Sequence, residues 1–236
     1  MNMHKKLKGG FTLVELLVVI VIIAALAGLT APMVMRQRKK ADQTEALNNA
    51  RQIGFALLEF DTEYGRFPEG GTLAQVSERT ESPLATGGGT NSNDYFRQLI
   101  AAGIANSESI FYAKTAYTRP PDNVFNTATT ALAAGEVGFG YIMNETRAQS
   151  ASGNPGRPVI CAPLAFDGGA VSADTFDVDM YDQRAVILKL DLSAISINVN
   201  PQNGTARMDG NDLLTNGETT VWGTSITPTV ATPVPN

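Results

Sequence analysis

The chain has 236 residues and a formal net charge of −5, with 43% hydrophobic and 17% charged residues. This composition is typical of a folded protein of one or two domains and excludes disordered, collagen-like and polytopic membrane proteins. The acidic balance argues against nucleic-acid binding through overall basic charge. The single cysteine, Cys161, excludes an internal disulfide and a multi-cysteine metal site, and the single histidine is His4.

The first predicted element is a long apolar helix. Residues 16–35 form a run of 20 residues without a charged side chain. As a helix, this run spans roughly 30 Å, which is the thickness of the hydrocarbon core of a bilayer. The run contains many β-branched residues, but an isolated strand cannot satisfy its backbone in lipid, so we expect a helix. The sequence therefore predicts a membrane-spanning segment over residues 11–35.

Two interpretations of this segment compete. A cleaved secretory signal peptide would explain Lys5, Lys6 and Lys8 before the apolar core, and residues 25–27 (ALA) would be its cleavage site. Glu15 favours a retained helix. A carboxylate at the start of an apolar core is costly unless it meets a cationic partner, and a discarded signal has no use for one.

The string KLKGGFTLVELLVVIVIIAAL, residues 6–26, resembles the N-terminus of type IV pilin-like proteins. In that family a short basic leader ends in Gly, prepilin peptidase cuts after it, the new amine is N-methylated, and the fifth mature residue is Glu. The resemblance implies cleavage between Gly10 and Phe11, with residues 1–10 as the removed leader and Glu15 as the fifth mature residue. It also places the leader in the cytoplasm and the bulk of the chain outside.

The resemblance gives Phe11 and Glu15 a role in assembly. After cleavage, Phe11 carries a positive amine four residues from the Glu15 carboxylate. Opposite charges attract strongly at low dielectric constant, and either one is costly when left alone. We therefore expect the Phe11 amine of one subunit to pair with Glu15 of its neighbour, which would fix the axial register of a fibre.

The helix is predicted to continue over residues 36–64 and to stop at Gly65. In this second part, apolar residues recur every three or four positions and form one amphipathic stripe. The stripe consists of Leu47, Ala50, Ile53, Leu57, Phe60 and Tyr64. Within the apolar part, Gly28 and Pro32 predict a bend, because proline removes a backbone hydrogen bond and clashes one turn back.

Residues 61–70 (DTEYGRFPEG) resemble the turn that ends the long helix in type II secretion pseudopilins. The rest of the chain predicts a globular head over residues 65–223 with a small antiparallel sheet, hence an α+β fold of the type IV pilin-like kind, followed by an extended Thr/Pro tail over residues 224–236. Within the head we expect a loop over 70–91 and a helix over 93–102 capped by Ser92 or Asn93. Strands are expected over 110–112, 137–143, 159–166, 185–192, 195–199 and 205–208.

Two acidic segments are candidate calcium sites. Residues 174–182 contain four aspartates, and Asp209 and Asp212 flank a Gly-Asn turn. Calcium takes six to eight oxygen ligands from such loops, and the pseudopilin resemblance implies a calcium site in a loop of the C-terminal sheet. Neither segment has EF-hand spacing, so a solvated acidic loop is the simpler interpretation and no cofactor is required by the sequence.

The remaining candidate residues predict no chemistry. Cys161 lies in an apolar segment and is expected to be buried, since removal of the leader leaves no histidine to activate it. Trp222 is expected in the core or at a subunit contact. Residues 138–141 (GFGY) have too few glycines and no following helix for a phosphate loop. We therefore predict no catalytic residues.

The resemblance implies a structural subunit of a type II secretion pseudopilus that helps to move proteins out of the periplasm. Its expected partners are other pilin-like subunits, prepilin peptidase and an inner-membrane assembly platform, with the helix in the inner membrane and the head in the periplasm. One alternative is a type IV pilus or competence-pilus subunit for adhesion, motility or DNA uptake. Another is a membrane-anchored periplasmic enzyme, against which the lack of histidine argues.

The first prediction concerns the N-terminus of the mature protein. Intact-mass analysis of the protein purified from membranes should show a chain that starts at Phe11 and carries one additional methyl group. A chain that starts at Gly28 would instead demonstrate a signal peptide and would overturn the assignment to the pilin-like family.

Overall fold

The computed structural model describes residues 11–85 and 89–236. The chain divides into two compact units, Met1–Arg38 and Lys39–Asn236. Residues 1–10, including Gly10, lie outside the described residues.

The first described element is helix α1, Leu13–Tyr64, which runs through both units. The predicted continuation of the apolar helix to Tyr64 is thus confirmed. Among the described residues, α1 is the one helix long and apolar enough to cross a membrane. The helix is unbroken through Gly28 and Pro32. The Thr30 hydroxyl donates to the Leu26 carbonyl, one turn back, at 3.0 Å, a contact that often bends helices, but the bend itself stays a prediction.

In the second unit, α1 buries one face against the head. Of the predicted stripe, Ala50, Ile53, Leu57 and Phe60 are almost fully buried, whereas its end members Leu47 and Tyr64 are only partly buried. Ala46, which the prediction did not include, is fully buried as well. The contact is close at Gly54, where an added Cβ would lie 2.9 Å from a methyl group of Leu188. A side chain at this position would therefore require the Leu188 side chain to move.

The turn after α1 is held by specific contacts. Gly65 has a φ of 79° and its amide donates to the Asp61 carbonyl at 2.8 Å, which confirms Gly65 as the stop. Glu69 is buried, and its two oxygens accept from Arg66 at 2.7 Å and from the Ala148 amide at 2.9 Å. The turn that the sequence singles out therefore joins the helix end to the segment between two strands of the sheet.

Two short helices follow, α2 (Thr72–Thr80) and α3 (Ser92–Ala101). The predicted loop over 70–91 is wrong in its first half, because α2 buries Val76 in the core in spite of its polar composition. Helix α3 is confirmed, but its cap is Asn91, whose side chain accepts from the Asp94 amide at 3.0 Å. The strand predicted over 110–112 is wrong, since Glu108–Phe111 form a 3-10 helix.

The head contains a five-stranded antiparallel sheet of order β6-β5-β2-β1-β9, which confirms the predicted α+β fold. Its strands are β1 (Gly140–Asn144), β2 (Pro158–Ala162), β5 (Arg184–Lys189), β6 (Ala194–Asn198) and β9 (Pro228–Ala231). Two further hairpins are β3 (Leu164–Asp167) with β4 (Ala170–Phe176), and β7 (Arg207–Met208) with β8 (Asn211–Asp212). The single strand predicted over 159–166 is divided at Pro163 into β2 and β3, which belong to different sheets.

The segment expected to be an extended tail, residues 224–236, is part of the head. Its residues Pro228–Ala231 form the edge strand β9, paired with β1. Beyond β9, the Val234 amide donates to the Asn93 side chain at 2.9 Å, and the Asn236 amide donates to the Tyr117 carbonyl at 3.1 Å. The proline-rich segment therefore forms an edge strand, a position that tolerates proline although proline has no amide hydrogen to donate.

The sheet is buried on both faces, with alternate residues facing two hydrophobic cores. In β2, Ile160 and Ala162 pack with α1 and α3, whereas Cys161 faces the opposite core. That second core lies against the two hairpins and includes Trp222, whose indole N–H donates to the Leu213 carbonyl at 2.7 Å. The predictions that Cys161 is buried and that Trp222 belongs to the core are confirmed.

The second prediction concerns Gly138. A Cβ at this position would lie 2.4 Å from the Ala113 carbonyl oxygen and 2.5 Å from its nitrogen, and backbone atoms cannot rotate away. We expect Gly138→Ala to lower the free energy of unfolding by about 2 kcal/mol or more, measured by chemical denaturation. Gly70→Ala is the matched control, since nothing lies within 4 Å of its added Cβ. Equal stability of the two variants would contradict the close contact.

Candidate assembly site

The N-terminus of α1 is closed by its own side chains. The backbone amide and the hydroxyl of Thr12 both donate to Oε2 of Glu15, each at 2.8 Å. In return, the Glu15 amide donates to the Thr12 hydroxyl at 3.3 Å. Since the helix begins at Leu13, Thr12 is the N-cap and Glu15 the third helical residue, which is the arrangement of a capping box.

The capping box also gives a role to Thr12, a residue to which the sequence interpretation assigned none. Thr12 determines where the helix begins and where the Glu15 carboxylate lies. Its signal is present in the sequence, because a threonine followed three residues later by glutamate, just before an apolar run, is the pattern of such a box. Glu15 thus caps its own helix, and the sequence also predicts an ion pair with a neighbour.

The two roles are compatible in geometry. Both hydrogen bonds from Thr12 reach the same oxygen, Oε2. Within the described part of the chain, no donor is recorded for the other oxygen, Oε1. The carboxylate also lies at the helix N-terminus, where the helix dipole stabilises negative charge. Capping therefore fixes the carboxylate in place while leaving one oxygen to accept from an incoming amine.

The helix surface that follows is apolar and exposed. Phe11 is 82% exposed, and in residues 11–38 the large apolar side chains with described burial are all exposed. They are Leu13, Val14, Leu16, Leu17, Val18, Val19, Ile20, Val21, Ile22, Ile23, Leu26, Leu29, Met33, Val34 and Met35. A helix that is apolar all round requires lipid or other helices as its surroundings.

The two candidate calcium segments have other structural roles. Asp209 and Gly210 form the turn between β7 and β8 with φ values of 52° and 84°, as an Asp-Gly hairpin turn requires. Asp212 accepts from Arg207 at 3.0 Å. In the other segment, Asp177 accepts from the amides of Asp179 and Met180. Calcium binding at Asp209 and Asp212 stays a prediction, because these contacts bring no further oxygen ligand to the two side chains.

Cys161 is not available as a nucleophile. Cys161 is fully buried in β2, and burial raises the pKa of its thiol, which keeps it protonated and unreactive. The N-terminal helix, with its capped carboxylate and exposed apolar surface, is therefore the candidate functional site.

Comparison with known proteins agrees with this location of the site. Residues 5–31 match the family described as the prokaryotic N-terminal methylation motif. The type II secretion system core protein G of Aeromonas hydrophila is 39% identical over 83 residues, which are 34% of this chain and 58% of that protein. The protein of the same name from Pectobacterium carotovorum is 38% identical over 76 residues, 31% of this chain and 49% of that protein.

A longer match decides the family. The type II secretion system core protein G of Pseudomonas aeruginosa is 31% identical over 99 residues, which are 41% of this chain and 68% of that protein. The chain belongs to the type II secretion system core protein G family. It spans 58% and 49% of the Aeromonas and Pectobacterium relatives, so the match covers about half of their length. No solved structure matches the chain significantly.

The third prediction tests the capping box. In detergent micelles, Thr12→Ala should remove the cap of the first turn and cost about 1 kcal/mol locally, so that the Glu15 amide exchanges its hydrogen about fivefold faster. Hydrogen exchange measured by NMR on the mature chain checks this result.

Thr30→Ala serves as the matched control for Thr12→Ala. The Thr30 hydroxyl bonds to carbonyl groups inside the helix, so its loss should leave the exchange of the first turn unchanged. Equal exchange rates in Thr12→Ala and the unmodified chain would show that the capping box does not hold the helix end.

Proposed function

We propose that the chain is a structural subunit of a type II secretion pseudopilus. Prepilin peptidase would cut between Gly10 and Phe11, residues 11–35 would hold the mature chain in the inner membrane, and the head would lie in the periplasm. The observation that carries the proposal is an exposed helical segment, residues 16–35, that has no charged side chain and directly follows a capped carboxylate, in a chain of the core protein G family. The role is structural, without catalysis.

The exposed apolar surface supports assembly through α1. In lipid, the helix is covered by hydrocarbon, so moving it against other helices gains little from the hydrophobic effect. Close packing and polar contacts therefore decide whether it stays in the membrane or joins a filament. Glu15 is the one ionisable side chain of residues 11–35, and it supplies such a polar contact.

The charge pair gives the assembly its register. A mature Phe11 amine and the Glu15 carboxylate are each costly in a nonpolar filament core, and pairing offsets both costs. Because Thr12 holds the carboxylate at the helix end, a neighbouring amine can meet it only at one axial position. The proposed pair therefore selects a single stagger between subunits.

The head offers a second surface for subunit contacts. On α1, Phe55 is 62% exposed and Leu58 is 38% exposed, although both lie on a helix whose opposite face is buried. Phe55 lines a groove together with Ile104 and Ile110. An exposed aromatic side chain in an apolar groove is typical of a protein–protein contact. This surface supports packing of heads against one another in the proposed filament.

The fourth prediction separates the charge of Glu15 from its capping role. Glutamine also serves in a capping box, so Glu15→Gln should keep the helix start intact and remove only the charge. We expect cleavage before Phe11 to be retained and the yield of assembled pseudopilus to fall about tenfold or more, because a loss of about 1.4 kcal/mol per contact changes an equilibrium constant tenfold. The amount of crosslinked subunit multimers in isolated cell envelopes and the secretion of a reporter protein measure the effect.

Glu218→Gln is the control for Glu15→Gln, since Glu218 is an exposed carboxylate of the head. It should leave assembly and secretion unchanged. Normal assembly of the Glu15→Gln chain would contradict the proposed charge pair. If deletion of the chain removed a surface fibre but left secretion intact, the result would favour the pilus alternative over the pseudopilus.

A further inference from the structure

Three carboxylates from separate segments of the head meet at one point. Glu108 opens the 3-10 helix, Asp122 lies in the following loop, and Glu136 lies just before β1. One carboxylate oxygen from each lies within 4.8 Å of the other two. Two oxygens that bind one calcium ion at about 2.4 Å are at most about 4.8 Å apart, so these atoms fit a shared ion.

Two of the three carboxylates are deeply buried, and one of them is incompletely satisfied. Glu108 and Glu136 are both 0% exposed. One oxygen of each accepts a backbone hydrogen bond, from the Leu132 amide at 2.6 Å and from the Ala133 amide at 2.8 Å. The second oxygen of Glu136, Oε1, faces Arg119, whereas the second oxygen of Glu108, Oε2, is buried and has no hydrogen-bond partner among the described residues. Buried polar atoms without a partner are rare in native proteins and indicate a missing ligand.

The charges around the cluster do not balance. Arg119 lies 3.1 Å from Oε1 of Glu136 and is 41% exposed, so it offsets one of the three negative charges. Glu108 is fully buried and forms no ion pair with the described residues, and a buried carboxylate of this kind requires a cation or a proton.

The loop that surrounds the cluster is held rigidly by its neighbours. The Asn93 side chain, almost fully buried, donates to the carbonyls of Leu132 and Ala133 at 2.9 and 3.1 Å. Arg97 donates to the Ala131 carbonyl at 2.9 Å. These contacts fix the amides that point at the two buried carboxylates. A preformed site of this kind loses little entropy when it binds an ion.

We propose that Glu108, Asp122 and Glu136 form a binding site for one hard divalent cation, with calcium as the preferred ion. Oxygen-only ligands suit calcium and magnesium, and a site with three carboxylates suits calcium better, because magnesium retains most of its waters and binds through one or two carboxylates. Exposed Asp122 supplies the route of entry from solvent. The ion would tie the 3-10 helix and the loop after it to the start of β1.

The fifth prediction tests this site in the full mature chain in detergent micelles. Millimolar calcium should raise the melting temperature above that in EDTA by about 5 °C or more, and magnesium should raise it less. Manganese should bind with one ion per chain, measured as loss of the free-ion signal in electron paramagnetic resonance, and calcium should displace it.

Matched variants locate the ion. Asp122→Asn changes an exposed side chain, so the fold should persist while the apparent Kd for calcium rises about tenfold or more. Glu108→Gln should abolish the calcium-dependent shift. Asp167→Asn is the control, because Asp167 is an exposed carboxylate at the end of β3 and belongs to neither candidate calcium segment. It should leave the shift unchanged.

Two results would overturn the proposal. One is an unmodified chain that melts at the same temperature in calcium and in EDTA, which would mean that a shared proton satisfies the buried carboxylates. The other is a calcium shift that survives Asp122→Asn and is lost in Asp212→Asn, which would place the ion at the C-terminal hairpin. If Glu108→Gln does not fold, the Asp122→Asn measurement still decides.

Discussion

The fold of the head depends on the close contact between residues 39–64 of α1 and the five-stranded sheet. Ile53, Leu57 and Phe60 fill the space above alternate residues of the central strands, and Gly54 lets the helix backbone approach Leu188. Because residues on the other face of the same strands build a second core, the sheet is buried on both sides. The hairpins and Trp222 cover this second face and give the head its second hydrophobic core.

Much of this arrangement could be predicted from local patterns. The uncharged run, the stripe from Leu47 to Tyr64 and the stop at Gly65 are short-range signals, and helix α1 follows them closely. The central strands are β-branched segments bounded by turn residues, and their approximate positions were therefore predictable as well. Thr12 was also readable, as the first residue of a capping pattern, but its role becomes clear only when the helix is seen to begin at Leu13.

Other features depend on contacts between distant residues and have no local signal. Helix α2 forms because Val76 finds a buried place in the core, although its sequence is that of a polar loop. The division of residues 159–166 between two sheets is an exception, because Pro163 is a local signal that a strand is interrupted. The cluster of Glu108, Asp122 and Glu136 joins a 3-10 helix, the loop after it and the residues before β1, whereas the obvious run of aspartates serves turns.

The capping of α1 has a consequence for the kinetics of assembly. Since Thr12 and Glu15 satisfy each other within one chain, the first turn of the helix is ordered before a neighbour arrives. In the proposed filament, a subunit that joins would lose no backbone freedom at this turn, so ordering of the helix end would add nothing to the barrier to addition. A subunit that leaves would likewise keep its helix end intact.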